Sequence, residues 1–245
     1  MHKNTLAFVI VAALGGFVAG FWLANSINRS AGTTQTPAAN TSASNTSQTS
    51  NSSDTELTDT EIKAKIAEAD KSPTNLSFQR DLGISLYRYA AMKQDPELLG
   101  EAVRILERAD SLKKEDFDIL VALGNAYFDI GFFKKDIANF QKARDIYTKA
   151  LAVKPGEPDV STDLGISYFV QEPPDLDKAA AELERVSKAN PKHERSVQFL
   201  VQVYAKQKKI PQAEAAFAKL KSINPSSSAI SELTSVLTAA GGTAK

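Results

Sequence analysis

The sequence predicts an all-α protein: an α-solenoid of stacked antiparallel helix pairs, preceded by one transmembrane helix and a disordered linker. Leu-Gly pairs recur at residues 82–83, 123–124 and 164–165, 41 residues apart each time, within segments whose apolar residues are spaced three and four apart. That spacing is typical of helices with one apolar face. A 19-residue apolar stretch and a Ser/Thr/Asn-rich stretch precede these repeats.

Composition excludes several classes of chemistry. The 245 residues include no cysteine and two histidines, and 29 basic side chains balance 29 acidic ones to give a net charge of zero. Without cysteine there can be no disulfide framework and no thiolate nucleophile. A chain without a basic excess is also poorly suited to binding phosphate backbones, so we expect no nucleic-acid partner.

The first predicted element is a transmembrane signal anchor over residues 1–28. Its core, residues 6–24, carries no charged side chain and would span about 28 Å as a helix, close to the thickness of a bilayer core. Lys3 and the free amino terminus precede this stretch and Arg29 follows it, which favours a cytoplasmic N-terminus. We therefore expect a single-pass protein of the inner (cytoplasmic) membrane, with its soluble domain in the periplasm or otherwise outside the cytoplasm.

This segment leaves two alternatives open. Small residues at Ala24 and Ser26 would suit cleavage as a secretory signal, although the apolar stretch is longer than a usual signal core. Ala12, Gly16 and Gly20 form a stripe of small residues at which two such helices could approach closely and form a homodimer. Both the anchored and the cleaved form would export the rest of the chain.

Residues 29–53 are predicted to be a disordered linker. Apart from Arg29, the stretch consists of Ser, Thr, Ala, Asn, Gln, Gly and Pro, a composition that cannot bury enough apolar surface to fold. A coil of this length has a root-mean-square reach of about 25–30 Å. It would tether the anchor to residues 54–245, which contain every acidic residue of the chain.

Residues 54–245 contain the repeats. Each Leu-Gly pair is followed by aromatic or apolar residues and then by a second apolar stripe, so that each unit consists of two helices with facing stripes. Stacked units can bury the apolar surface that one pair leaves exposed. Glycine inside a helix costs about 1 kcal/mol relative to alanine, so the repeated glycines indicate that a neighbouring helix crosses closely. Gly131, Pro96 and the Pro173-Pro174 pair are interpreted as markers of turns between helices.

The repeats resemble those of the tetratricopeptide repeat family, in which members with a membrane anchor occur in bacterial envelopes. The family's pattern of 34 residues places Leu-Gly at positions 7 and 8, Tyr at 11, Ala at 20 and 27, and Pro at 32. The resemblance implies a repeat domain over residues 54–245, with units at about 75–114, 115–155, 156–191 and 192–225 and flanking helices at 58–71 and 228–239. The first two units each have seven extra residues before position 20, which predicts unusually long second helices there.

The resemblance also implies a binding surface, because in this family the first helix of each unit lines a concave groove. The corresponding residues of this chain are Arg80, Ile84, Tyr87, Arg88, Val121, Asn125, Phe128, Asp129, Thr162, Ile166, Phe169, Gln198, Gln202 and Lys206. Their mixture of apolar and polar side chains suits a peptide or an amphipathic helix of a client protein. The alternative for the three aromatic residues of this set is that they pack between helices.

No motif for chemistry stands out, so we expect no enzyme, no cofactor and no bound metal. His193 is interpreted as a solvated residue at a helix start. Some family members grip a terminal carboxylate with basic and amide side chains, but Asp159 and Asp163 occupy corresponding positions here and would repel it.

The leading hypothesis is therefore a membrane-anchored, noncatalytic scaffold or assembly factor that binds a client protein or peptide. By resemblance, its process would be cytochrome c maturation or envelope assembly. The alternative is a structural envelope protein that associates with itself and has no peptide client.

Overall fold

The computed structural model describes residues 58–243, in which every regular element is an α-helix. The predicted anchor with its small-residue stripe, and the predicted linker, lie outside this range. Helix α1, Asp59–Lys71, belongs to a first unit that ends at Asn75. It begins at a capping box, in which Thr58 and Glu61 exchange hydrogen bonds. Within residues 58–243, no helix is both long enough and apolar enough to cross a membrane.

The second unit begins at Leu76 and consists of four helix pairs and a final helix. The pairs are α2 (Leu76–Lys93) with α3 (Pro96–Leu112), α4 (Phe117–Lys134) with α5 (Ile137–Val153), α6 (Pro158–Val170) with α7 (Leu176–Ala189), and α8 (Glu194–Lys206) with α9 (Ile210–Ile223); α10 (Ile230–Ala240) follows. Each helix packs closely against its partner and against the next pair. The predicted α-solenoid of stacked helix pairs is confirmed for these residues.

Aspartates define where several helices begin. Asp95, Asp116, Asp136 and Asp175 precede α3, α4, α5 and α7 and accept hydrogen bonds from backbone N–H groups of the first turn. Such side chains supply acceptors for groups that have no partner within the helix. Pro96 is the first residue of α3 and Pro173-Pro174 lies between α6 and α7, so these two turn markers are confirmed.

Gly131 is not a turn residue, and that interpretation was wrong. It lies inside α4, where an added Cβ would come 3.1 Å from the backbone nitrogen of Phe140 on α5. A close helix approach, rather than a change of chain direction, therefore accounts for this glycine.

The repeated glycines lie where paired helices cross, as predicted. A Cβ added to Gly124 would lie 2.6 Å from Cε1 of Tyr147, and one added to Gly83 would lie 2.8 Å from Cδ2 of Leu106. In both cases the contacted side chain belongs to the second helix of the same pair and is fully buried. The pairs can pack this tightly because the first helix carries no side chain at the crossing point.

The extra residues of the first two units lengthen both helices of a pair, and not the second helix alone as predicted. Helices α3 and α5 have 17 residues against 14 in α7 and α9, while α2 and α4 have 18 against 13 in α6 and α8. Two antiparallel helices must lengthen together if their apolar stripes are to stay in contact. The first two hairpins therefore project about 7 Å beyond the later two at the turn within each pair.

The first helices lie on the inner side of the stack. Consecutive first helices pack against one another as well as against their partners, whereas consecutive second helices make at most marginal contact. The stack therefore curves toward the row formed by α2, α4, α6 and α8. The middle of this row is enclosed, since residues 122–131 of α4 and 160–167 of α6 are buried without interruption.

Candidate functional site

The predicted groove residues all belong to the inner helices, but they differ in accessibility. Arg88 and Lys206 are exposed, and Arg80, Ile84 and Val121 are half-buried. The others are buried: Tyr87, Asn125, Phe128, Asp129, Thr162, Ile166, Phe169, Gln198 and Gln202. The accessible part of this set therefore lies mainly on α2 and the adjoining part of α4, with Lys206 at the other end of the row.

The buried aromatic residues make packing contacts. The ring of Phe128 lies edge-on to that of Phe140 within its own pair, with centroids 5.5 Å apart. The rings of Phe169 and of Phe199, on the next inner helix, have centroids 6.0 Å apart. The amine of Lys206 lies 5.3 Å from the centroid of the Phe169 ring. Such edge-on pairs add to the energy of burial. These contacts correspond to the alternative that the sequence left open, in which the aromatic residues pack between helices.

Charged pairs connect neighbouring inner helices. A guanidinium nitrogen of Arg80 on α2 lies 2.5 Å from Asp118 on α4, and its Nε lies 3.7 Å from Asp116. Burial raises the pKa of Asp116, but hydrogen bonds from Lys113 and the Ile119 N–H, together with the charge of Arg80, outweigh it and hold the pKa below its usual value. Arg80 is thus fixed at the edge of the inner face, with about a third of its side chain exposed.

A second charged pair joins α6 to α8 and is almost fully buried. Arg195 donates to the carboxylate of Asp163, and the two side chains are 11% and 4% exposed. Removing one member of such a pair is costly, because the other charge stays buried. This pair was not predicted, because the sequence does not show which residues of adjacent units face each other.

His193 is not the solvated residue that the sequence indicated. Its Nδ1 caps α8 by accepting from the backbone N–H of Ser196 at 3.3 Å, and its Nε2 lies 3.1 Å from Asp159 on α6. Only 16% of the side chain is exposed. The interpretation failed because the stacking of α6 on α8 brings a carboxylate to a residue that looks isolated in the sequence.

Two tyrosines, one on α4 and one on α8, each connect their own helix to the preceding helix pair. The hydroxyl of Tyr127 on α4 donates to Glu107 on α3, and that of Tyr204 on α8 donates to Glu184 on α7 at 2.7 Å. Burial, reinforced by these carboxylates, raises the pKa of both phenols. Both tyrosines lie at position 11 of a unit and 20 residues after the acid, a repeated spacing that could have predicted the contact.

The equivalent junction between the second and third pairs is different. Twenty residues before Tyr168 the chain has Thr148 instead of a glutamate. The guanidinium of Arg144 lies 4.5 Å from the centroid of the Tyr168 ring. Arg144 is buried and donates to the side chains of Gln141 and Gln171 at 3.0 Å. Burial lowers the pKa of this guanidinium. The junctions therefore share one geometry but differ in chemistry.

The geometry suits binding through shape and polar contact. Within residues 58–243, no group of three or more His, Asp and Glu side chains is arranged to hold a metal ion. Among the predicted groove residues, the accessible side chains are two arginines, a lysine and two aliphatic side chains, and Arg80 is held by Asp116 and Asp118. Such a surface can hold a polypeptide segment by burying apolar area and donating hydrogen bonds.

The helix pairs and their inner row define an α-solenoid repeat protein. Residues 174–237 match the tetratricopeptide repeat family model. MamA has a similar crystal structure, with a TM-score of 0.54, 22% identity, and coverage of 67% of this chain and 87% of MamA. A comparison with curated protein sequences returns no match.

Two further crystal structures share this fold. A thermophilic tetratricopeptide repeat protein of Thermus thermophilus gives a TM-score of 0.52 at 16% identity, covering 74% of this chain and 89% of that protein. PilW, a widely conserved type IV pilus biogenesis factor, gives a TM-score of 0.54 at 19% identity, covering 74% of this chain and 79% of PilW. At these identities the likeness establishes the fold alone. Residues 58–243 thus include a tetratricopeptide-repeat-like solenoid.

Proposed function

We propose that this protein is a noncatalytic scaffold or assembly factor that binds a client protein or peptide on its row of inner helices. One observation carries the proposal. Consecutive first helices touch one another, so that the accessible side chains of α2 and of the adjoining part of α4 lie on neighbouring helices of one row. A surface shared by two units in this way can hold an extended or helical segment, as stacked repeats commonly do.

The accessible residues suggest what kind of segment binds. Ile84 and Val121 offer aliphatic contact on α2 and α4, with Arg88 exposed on α2 and Arg80 held beside Asp116 and Asp118. An amphipathic segment with an apolar face and polar residues beside it would complement this group. The buried polar residues further along the row position the helices and would contribute less direct contact.

The proposal also includes a membrane anchor at residues 6–24 and a repeat domain at the outer face of a bacterial inner membrane. The uncharged length of that stretch supports the anchor, and the positive charge before it supports the orientation. The process we propose is either cytochrome c maturation or envelope assembly. PilW, a type IV pilus biogenesis factor, is an example of this fold in an assembly process.

Site-directed photo-crosslinking in native membranes tests the binding surface. A photoreactive residue at position 84 or 121 of the full-length protein should trap one client, whereas the same group at exposed Lys149 on second helix α5 should not. Equal trapping at all three positions would contradict the assignment. Adducts formed only with a second copy of the protein would instead favour the self-associating alternative.

A further inference from the structure

The seven extra residues in each of the first two units form a projecting end that the later pairs lack. It consists of residues 89–98, around the turn between α2 and α3, and residues 130–139, around the turn between α4 and α5. We call these two segments the hairpin end. The amine of Lys134 lies 3.2 Å from a carboxylate oxygen of Glu97, so the two turns are adjacent.

Bulky apolar side chains are accessible on the hairpin end. Met92 is 56% exposed and Ile137 is 49% exposed. Phe132 and Phe133 are half-buried, with ring centroids 5.8 Å apart in an edge-on pair. Helices α6 and α8 are five residues shorter than α4, so the third and fourth pairs stop short of this surface. The extra residues thus add apolar surface that these pairs leave uncovered.

Three lysines lie on the hairpin end together with these apolar side chains. Lys93 and Lys134 end α2 and α4, and the exposed Lys135 makes no ion pair with any described residue. The nearby acids are already engaged. Asp95 and Asp136 accept hydrogen bonds from backbone N–H groups at the starts of α3 and α5, and Glu97 pairs with Lys134. Exposed apolar groups beside amines favour the boundary between lipid headgroups and acyl chains.

The opposite end of the same two pairs has a different charge arrangement. Leu112 and Val153 are exposed there, at 40% and 38%. The neighbouring lysines are each held by a carboxylate, in the pairs Lys113 with Asp116, Lys114 with Asp110, and Lys154 with Glu157. Both ends therefore expose apolar side chains. The hairpin end differs in having Lys135, whose amine makes no ion pair with a described residue, and the Phe132–Phe133 pair.

We propose that the hairpin end inserts into the surface of a phospholipid bilayer and so holds the solenoid in a defined orientation on the membrane. This inference rests on the proposed anchoring, because a linker after an anchor at residues 6–24 would have a root-mean-square reach of about 25–30 Å and so hold the domain near the lipid. Met92, Ile137 and the Phe132–Phe133 pair enter the acyl boundary, while the lysine amines remain among the headgroups. Lipid binding at the turns leaves the inner row open for a client.

Single cysteines test the insertion, since the sequence contains none of its own. The full-length protein, with Met92→Cys or Ile137→Cys labelled by a polarity-sensitive fluorophore, is reconstituted into phosphatidylcholine/phosphatidylglycerol vesicles. Nitroxide-labelled lipid should quench both labels at least twofold more than labels at Leu112→Cys and Val153→Cys, which are matched controls of similar exposure. Equal quenching at all four positions, or none at 92 and 137, would overturn the proposal.

A label at Gly15→Cys reports on the anchor separately. Quenching at 15 but not at 92 and 137 would refute the hairpin-end contact and leave the anchor intact. Absence of quenching at 15 would refute the anchor, and the labels at 92 and 137 would then decide the hairpin end independently. A blue shift at 92 and 137 that grows with protein concentration in detergent, without vesicles, would show a second copy on this surface and overturn the lipid assignment.

Discussion

Gly124 is the position at which an added methyl group would meet the closest contact in the described stack. Its Cβ would lie 2.6 Å from Tyr147, which is fully buried and donates a hydrogen bond to Asn125 at 2.8 Å. Gly124→Ala should therefore force α4 and α5 apart and lower the free energy of unfolding by about 1–3 kcal/mol, as overpacking does. Urea denaturation followed by circular dichroism measures this change.

Gly100 provides the matched control. It lies in α3, and a Cβ added there would have no neighbour within 4 Å. Gly100→Ala should stabilise the protein by roughly 0.5–1 kcal/mol, because alanine loses less backbone entropy in a helix. If both substitutions shifted stability in the same direction, close helix approach would not be the reason for glycine at position 124.

Glu232 on α10 should make stability depend on pH. Burial raises the pKa of this carboxyl to about 7, above the ordinary value of 4.5. Between these two values the folded protein keeps a proton that the unfolded chain has released, so stability falls as pH rises from 4.5 to 7. Glu232→Gln should remove this slope and make the protein more stable at pH 8 than the unsubstituted chain.

The measurement is urea denaturation at pH 5, 6, 7 and 8. Glu172→Gln, at an exposed position in the turn before α7, is the control and should leave the slope unchanged. A slope that persists in Glu232→Gln would assign the pH dependence to another group.

At the scale of helices, one buried charge pair joins α6 to α8 beside the contact between Phe169 and Phe199. Arg195→Met would leave Asp163 in a site where only 4% of its side chain is exposed. We expect a loss of about 3–5 kcal/mol, since breaking a buried ion pair by removing one partner is costly. Adding Asp163→Leu should recover most of that loss, because an apolar pair of similar volume can replace a buried ion pair.

An exposed pair within one helix offers a contrast. Arg185 lies 2.9 Å from Glu182, and 54% of its side chain is exposed. Arg185→Met should change the free energy of unfolding by less than about 1 kcal/mol. Similar losses for Arg185→Met and Arg195→Met in thermal unfolding would show that burial does not set the energy of these pairs.

The helix pairs themselves could be predicted from the sequence because their causes are local. The spacing of apolar residues, the glycines at positions 83 and 124 and the Thr58–Glu61 capping box each act within one helix or one hairpin. Local sequence signals could not predict that the seven extra residues would be divided between the two helices of a pair. It follows from the need of both helices in a pair to stay in contact along their length.

The candidate site was less predictable, for a related reason. Carrying the family pattern onto the chain placed the residues predicted to line a groove on the first helices of the pairs, but their exposure depends on how adjacent units approach. Asn125 and Thr162 are buried because neighbouring helices close over them, and His193 meets Asp159 only through stacking. The glutamates that accept from Tyr127 and Tyr204 did leave a signal, a separation of 20 residues that occurs twice.

For the molecule as a whole, the balance of charge predicts how binding responds to salt. The chain has 29 basic and 29 acidic side chains, so long-range attraction to a charged client is weak. The association rate for the client should therefore change by less than about threefold between 50 and 500 mM NaCl, a range over which screening of exposed charges increases strongly. Stopped-flow measurements with the full-length protein test this. A steep fall in rate would indicate electrostatic steering and a charged binding surface.

The central claim is that a client binds to the accessible part of the inner row. The most direct test is the affinity of the photo-crosslinked client for purified full-length protein, measured by isothermal titration calorimetry. Ile84→Glu on α2 should weaken binding at least tenfold, because it places a carboxylate where apolar contact is expected, and Lys149→Glu on α5 should leave the affinity unchanged. Unchanged affinity in Ile84→Glu, or an equal loss in both variants, would contradict the assignment of the inner helices as the client-binding surface.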